Sequence, residues 1–273
     1  MFITTSNILK GITPVIIDGA GINQEPVNLL DSDHSTNYTS AVLTNVDALE
    51  VSFGALSAKY VAVSGHNINS NVVSSPEAIQ EGNTIEIYDG ATFVARIDSL
   101  NRNNVFFFLF ESGRTFSNMI LKFKNTGQDA AFTISYIAAG DVFEVPNNGE
   151  QSGYARNIFG RSTNQAVNEN SQAMPIAITK KRSSLRGNLS IPNSPVDLDF
   201  EYMHFMDYAE LEPFFIIERI GGFIPASTSP VVSSRWEPSL GYICYNPQLA
   251  IKSHSSTRLL NSVSLRFQCN NGL

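Results

Sequence analysis

The chain has two cysteines and one tryptophan in 273 residues, and only 16% of it is charged. Cys244 and Cys269 form no CxxC pair and belong to no Cys/His cluster, which excludes the thiolate zinc patterns and gives no reason to expect a metal. The two thiols can form a disulfide or sit as separate buried groups. No apolar run approaches the roughly 20 residues a membrane helix needs, the longest being Val105 to Phe110. Met1 to Gly11 lacks the basic stretch followed by an apolar run that marks a secretory leader, so the expectation is assembly in a cytoplasm without membrane insertion. A formal charge of −7 argues against a nucleic-acid partner, which needs a basic footprint. There is no Gly-rich phosphate loop and no Gly-x-Ser-x-Gly elbow, so neither a nucleotide cofactor nor a serine hydrolase is expected.

What is present is β-forming. Apolar residues make up 42% of the chain, with 18 Phe and nine Tyr, enough for a sizeable core in one large or two ordinary domains. Lys59 to Asn67 is the organising stretch. Tyr60, Ala62 and Ser64 alternate with Val61, Val63 and Gly65, so both faces are small, aromatic or β-branched, as in the interior of a sandwich. Leu49, Val51 and Phe53 alternate before it. Thr84 to Tyr88, Asp89-Gly90 and Thr92 to Ile97 read as a hairpin. Val105 to Phe110 is apolar on both faces and must be central in a sheet. Asn118 to Phe123 and Ala131 to Ala138 add two more strands. Phe2 to Ile17, cut by Gly11 and Pro14, reads as an arm or edge strand. The spacing predicts a sandwich or jelly roll over 1–146.

Pro146 to Gly149 reads as a boundary, and 147–273 as a second β-rich domain. Tyr154 to Asn170 is polar, an extended arm at about 150–172. Pro175 to Thr179 and Ser184 to Ile191 are strand-like, with Lys180-Lys181-Arg182 between them. Asp197 to Tyr202 alternates as a strand. Met203 to Leu211 is the one short helix, with Asp207 as a cap and Pro213 as its stop. Phe214 to Ile220, Leu240 to Tyr245 and Asn261 to Gln268 complete the β-structure.

Candidate sites are few. Asp31-Ser32-Asp33 offers hard oxygens, but no glycine stands at the sixth position and no glutamate at the twelfth of a Ca²⁺ loop, and turn capping accounts for the pair more simply. His66, beside Asn67, can bind a sugar or bond nearby loop carbonyls. Glu201, Asp207, Glu210 and Glu212 invite a glycosidase reading, against the solvated face of a helix. Lys180, Lys181 and Arg182 can meet an acidic subunit or form a charged turn. Phe214 and Phe215 can dock a partner or pack in the core. No residue is assigned as catalytic.

With these residues laid out, the chain resembles structural proteins of tailed-bacteriophage tails that begin with a galactose-binding-like β-sandwich. The residues that carry this are Asp31 to Thr36, Tyr60 to Asn67, the Ile85 to Ile97 hairpin, the strand at Val105, and Ile137 to Pro146. Phe159-Gly160-Arg161-Ser162, Asp197 to Tyr202 and Pro213 to Ile216 carry it in the second half. The resemblance implies a non-enzymatic virion component of the tail tip or baseplate, a minor tail protein assembled as a homo-oligomeric ring. Arg161, Lys180, Lys181, Arg182, Phe214 and Phe215 would then face other tail proteins. It also implies that the loop end of the sandwich, with Asp31, Asp33, His66 and Asn67, can meet a host-surface glycan. That makes a carbohydrate-binding module the alternative and a glycan hydrolase the remote one.

Overall fold

Two glycines with left-handed backbones, Gly54 (φ 76°) and Gly113 (φ 79°), shape the N-terminal sheet. They lie in its two longest strands, β4 (Ala48–His66) and β7 (Phe106–Lys124), each 19 residues long. A side chain at such a φ costs about 1–2 kcal/mol, so glycine is the residue that lets a strand turn there. The antiparallel β4–β7 ladder runs from Ala48 opposite Lys124 to Val63 opposite Phe106, with register shifts around Gly54 and between Ala58 and Tyr60. Such bulges bend a strand pair and increase its twist.

In this computed structural model the described residues are 1–17, 25–31, 36–43, 48–66, 84–97, 105–124, 130–145, 163–169, 175–182, 185–219, 223–224, 231–233, 240–253 and 260–270. The chain is mainly β with one short helix, α1 (Asp199–Ala209), among them. It divides into two compact units: Met1–Val145 with Leu211–Ile243 and Asn271–Leu273, and Pro146–Glu210 with Cys244–Asn270. Residues 211–243, read above as part of the second domain, belong to the first unit, because their strand Phe214–Arg219 pairs with the start of the chain.

In the first unit the two arms of the bent ladder have different neighbours. The beginning of β4 pairs with β2 (Val15–Ile17). The end of β7 pairs with β5 (Thr84–Asp89), and β5 with β6 (Thr92–Ile97). β14 (Val231–Ser233) adds to β6 in parallel. The end of β4 pairs with β8 (Ala130–Gly140), and β8 with β3 (Tyr38–Leu43). Leu49, Val51 and Phe53 from one arm and Val61 and Val63 from the other join one core with Phe108, Phe116, Leu121, Phe123 and Phe132. The sheet is folded over on itself as a β-sandwich. Sequence alternation shows the arms as separate strands; the bulges that join them have no periodic signature.

The sandwich has a second buried face. Tyr60, Ala62, Phe107, Tyr136 and Ala138 lie on the reverse of the inner arm and are each at most 3% exposed. Phe215 packs there, with its ring centroid 6.3 Å from Tyr60, 5.5 Å from Phe107 and 6.1 Å from Tyr136. Fully burying one such ring contributes roughly 1.5–3 kcal/mol. Phe215 comes from β13 (Phe214–Arg219), which pairs with β1 (Phe2–Thr4), and β1 pairs in turn with β9 (Val142–Glu144). β1 is therefore an internal strand with a partner on each side, whereas β2, at the other end of the Phe2 to Ile17 segment, pairs with β4 alone among the described residues. Phe214 and Phe215 are both fully buried, so they are core residues and not a surface pair for a partner.

In the second unit β10 (Thr163–Glu169) pairs with β11 (Pro175–Arg182), and β12 (Leu185–Pro195) with β16 (Leu260–Asn270). β15 (Leu240–Ser253) runs into it from the first unit. Three expectations are corrected. Residues 163–169 of the expected arm are a strand. Lys180 to Arg182 continue β11 opposite Thr163 to Gln165 and form no turn. Asp197 to Tyr202 is not a strand: a 3₁₀ turn at Val196–Leu198 leads into α1. Tyr202, Phe205 and Ala209 are buried at helical spacing, whereas Phe200, which gave the alternation, is 75% exposed. Asp199 and Glu201 occupy the first turn, where the helix dipole favours acids, and Asp207 lies near the other end and caps nothing.

Candidate functional site

The end of β4 is where the sequence gathers its candidate ligand residues. His66 leaves the strand opposite Ile134 of β8. It is 4% exposed and stacks on Phe106, with ring centroids 4.5 Å apart and planes 23° apart. A ring so enclosed supports the strand end from beneath and offers little surface to a ligand.

The polar groups at this end come from a neighbouring segment. A 3₁₀ turn at Pro26–Leu29 is started by its proline and anchored by fully buried Leu29, and Tyr38 anchors the entry to β3 at 1% exposure. Asn37, just before that strand, meets Ser135 of β8 side chain to side chain. The Ser135 hydroxyl also lies 2.9 Å from the Gly65 carbonyl. Asn28 Nδ2 donates to the Asn37 carbonyl at 3.5 Å, and Thr36 Oγ1 donates to Asp31 Oδ2 at 3.2 Å. The Asp31 carboxylate, Asn28 and Asn37 therefore stand together beside the Gly65–His66 end of β4. Asp31 and Asn28 are half-buried and Asn37 is exposed.

This edge carries fixed acceptors and amide donors over an apolar base, and its chemistry suits neutral hydroxyl-bearing ligands. Among the described residues no group of three or more His, Cys, Asp or Glu can hold a metal ion. Asp33, Asn67 and Arg161 lie outside the described residues, and for Lys180, Lys181 and Arg182 only the backbone is described. Asn37, Ser135 and Phe106 were not singled out from sequence. Ser135 gains its role from the β4–β8 register, which a linear pattern does not encode.

The acidic group of the second half is dispersed. Glu201, Asp207 and Glu210 are exposed, and Glu212 pairs with Lys10. This is the solvated face of a helix with an ion pair after it, without the enclosed carboxylate pair that glycoside hydrolysis uses. Cys244 and Cys269 are both buried and are not disulfide-bonded.

No family model matches the chain, and no curated protein matches it. Solved structures resemble about half of it. One is chitosan-binding module 1 of a chitosanase/glucanase from Paenibacillus sp. IK-5, at 14% identity over 50% of this chain and 99% of that one, with a TM-score of 0.36. Another is a family 32 carbohydrate-binding module of Clostridium perfringens NanJ in complex with galactose, at 15% identity over 48% of this chain and 94% of that one, with a TM-score of 0.32. A third, a C. perfringens module in complex with GalNAc-β-1,3-galactose, is 8% identical over 50% of this chain and 100% of that one, with a TM-score of 0.33. The chemistry of the site is accordingly read from this chain's own residues.

Proposed function

We propose that the chain is a non-catalytic carbohydrate-binding protein whose sandwich end takes up a glycan. The observation that carries this reading is the joining of Asp31, Asn28 and Asn37 to the end of β4 through Ser135, beside the buried His66–Phe106 stack. A carboxylate accepts from two sugar hydroxyls and an amide donates to one and accepts from another, so a small fixed set of such groups recognises one sugar orientation. The Leu29 and Tyr38 anchors hold the set in place before binding, which lowers the ordering cost. The test is a glycan array with wild type, Asp31→Asn and Asn37→Ala. Binding by wild type with a tenfold or larger loss in both variants is expected; a wild-type protein that retains no glycan overturns the reading.

A second reading is a structural subunit of a phage tail that packs against other tail or baseplate proteins. It is favoured by exposed apolar side chains on α1, where Phe200 is 75% and Met203 61% exposed. Large apolar groups one turn apart on an exposed helix mark a contact surface when they are contiguous. Copies of the chain located in the tail of purified virions by electron microscopy would support it, and their absence from particles would remove it.

A further inference from the structure

The outer face of the folded sheet carries a row of charges that alternates in sign across four strands. Glu50 of β4 stands opposite Lys122 of β7, Lys122 opposite Glu86 of β5, and Glu86 opposite Arg96 of β6. Lys122 Nζ is 2.5 Å from Glu50 Oε1 and 4.8 Å from the centre of the Tyr88 ring. The next outward row holds Ser52, Ile120, Tyr88 and Phe93 on the same four strands. The inward positions between these rows, such as Val51, Leu121 and Ile87, belong to the core, so both rows face away from it. The side chains of Glu50 and Lys122 are 28% and 23% exposed.

Read backwards, negative-positive-negative-positive becomes positive-negative-positive-negative. A twofold axis that runs along the strands, midway between β7 and β5, exchanges β4 with β6 and β7 with β5. Two such faces brought together then set Glu50 against the second copy's Arg96 and Lys122 against its Glu86, each pair occurring twice. The adjoining row meets itself as Ile120 against Tyr88. Glu86, 5% exposed beneath Tyr88 and Lys124, is screened by its own chain. The outer intermolecular pair, which Glu86 leaves to form, is therefore Glu50 with the half-buried Arg96.

From this self-complementarity we infer that the outer sheet face is a twofold interface between two copies of the chain. A twofold contact requires one patch to match itself after rotation, and an alternating row centred between two strands meets that requirement. Charge complementarity of this kind sets register and partner choice. The flanking Ile120 and Tyr88 contacts supply the apolar area. This interface is independent of the glycan reading, since neither Asp31 nor Asn37 takes part in it.

The experiment is sedimentation of the full chain at ~100 µM, a concentration at which a micromolar dimer is populated, together with charge reversal. Wild type is expected to be dimeric. Glu50→Arg and Arg96→Glu should each raise the dimer Kd tenfold or more. The double variant Glu50→Arg/Arg96→Glu should restore the dimer, although it does not restore the Glu50–Lys122 pair within each copy. A monomeric wild type, or a dimer indifferent to the single reversals, overturns the inference.

Discussion

The carboxylate of Asp89 accepts hydrogen bonds from both the amide and the hydroxyl of Ser117, each at 2.7 Å, and a third from the Asn118 amide at 3.2 Å. This one side chain ties the β5–β6 turn to the bend of β7. Asn118 carries the tie onward, because its Oδ1 accepts from Ser52 Oγ at 2.8 Å and from the Gly54 amide at 3.1 Å. Burial works against the Asp89 charge, but the Ser117 and Asn118 bonds with Arg114 nearby outweigh it and hold the carboxyl below its ordinary 3.8. A depressed folded pKa means stability that is present above the unfolded value and lost as pH falls through the folded one. Asp89→Asn should cost about 1 kcal/mol at neutral pH and flatten the fall in melting temperature below pH 4. Parallel melting curves for the two proteins through that range would contradict this.

Tyr88 gives the opposite pH signature. Burial first, then its 2.7 Å bond to Glu86 and the charges of Glu86 and Glu50, push its phenol up to about 12 from 10. A raised folded pKa contributes stability that is complete below the unfolded value and disappears as pH rises through the folded one. Titration of the tyrosine rings by NMR should find Tyr88 ionising late, and Glu86→Gln should bring it back toward 10. A Tyr88 signal that titrates with ordinary tyrosines in wild type would show that Glu86 does not hold the proton.

The elements of the sandwich were legible because its strands bury alternate residues: Leu49, Val51 and Phe53, or Ile85 and Ile87, announce themselves by spacing. The Asp89-Gly90 hairpin was legible by its turn chemistry, and Gly90 does adopt a left-handed φ of 57°. The fold-over was not legible, because it depends on bulges at Gly54 and Ala58 that interrupt periodicity instead of expressing it. The strand-to-helix error at Asp197 to Tyr202 has the same origin, since three alternating apolar residues fit a strand until Phe200 is seen to face water. At the candidate site the sequence named Asp31 and His66 by residue type and local pattern alone. It did not show that His66 lies under Phe106 or that Ser135 joins the parts.

Gly140 and Gly90 separate two uses of glycine. At Gly140 an added Cβ would stand 2.6 Å from Ser6 Oγ and closer still to the Ser6 carbonyl oxygen, which is backbone and cannot swing aside. At Gly90 nothing lies within 4 Å of such an atom, but φ is 57°. Gly140→Ala is therefore an overpacking change, expected to cost about 1–3 kcal/mol. It should also loosen the start of the chain, where Asn7 Nδ2 donates to Tyr136 at 2.9 Å and Tyr60 donates to the Ser6 carbonyl at 2.8 Å. Gly90→Ala should cost about 1 kcal/mol, a local backbone term alone. Hydrogen exchange at Ile8 and Thr5 distinguishes them: faster exchange in Gly140→Ala and unchanged exchange in Gly90→Ala is the expected pattern, and equal protection in both would refute it.

Asn261 ties two elements of the second unit through one carboxylate. Its Nδ2 donates to both oxygens of Asp199, at 2.9 and 2.8 Å, and the residue is 2% exposed. Asp199 begins α1, so this contact fixes the helix to β16, while Tyr202 one turn on lies 3.2 Å from Ser194 of β12. Removing the buried amide breaks its bonds to the half-buried Asp199 carboxylate, and Asn261→Ala should cost about 1–3 kcal/mol. Asn261→Asp is the sharper variant, nearly the same in shape but with two carboxylates face to face. One of the pair must then bind a proton well above the ordinary aspartate range to fold. The sign follows: the folded state of Asn261→Asp binds more protons than the unfolded one, so its stability should rise as pH falls from 7 to 5. Wild type has the amide there and should show no such gain. Denaturant midpoints measured at both pH values decide the matter, and a variant no more stable at pH 5 than at pH 7 would mean that the two side chains do not face each other in solution.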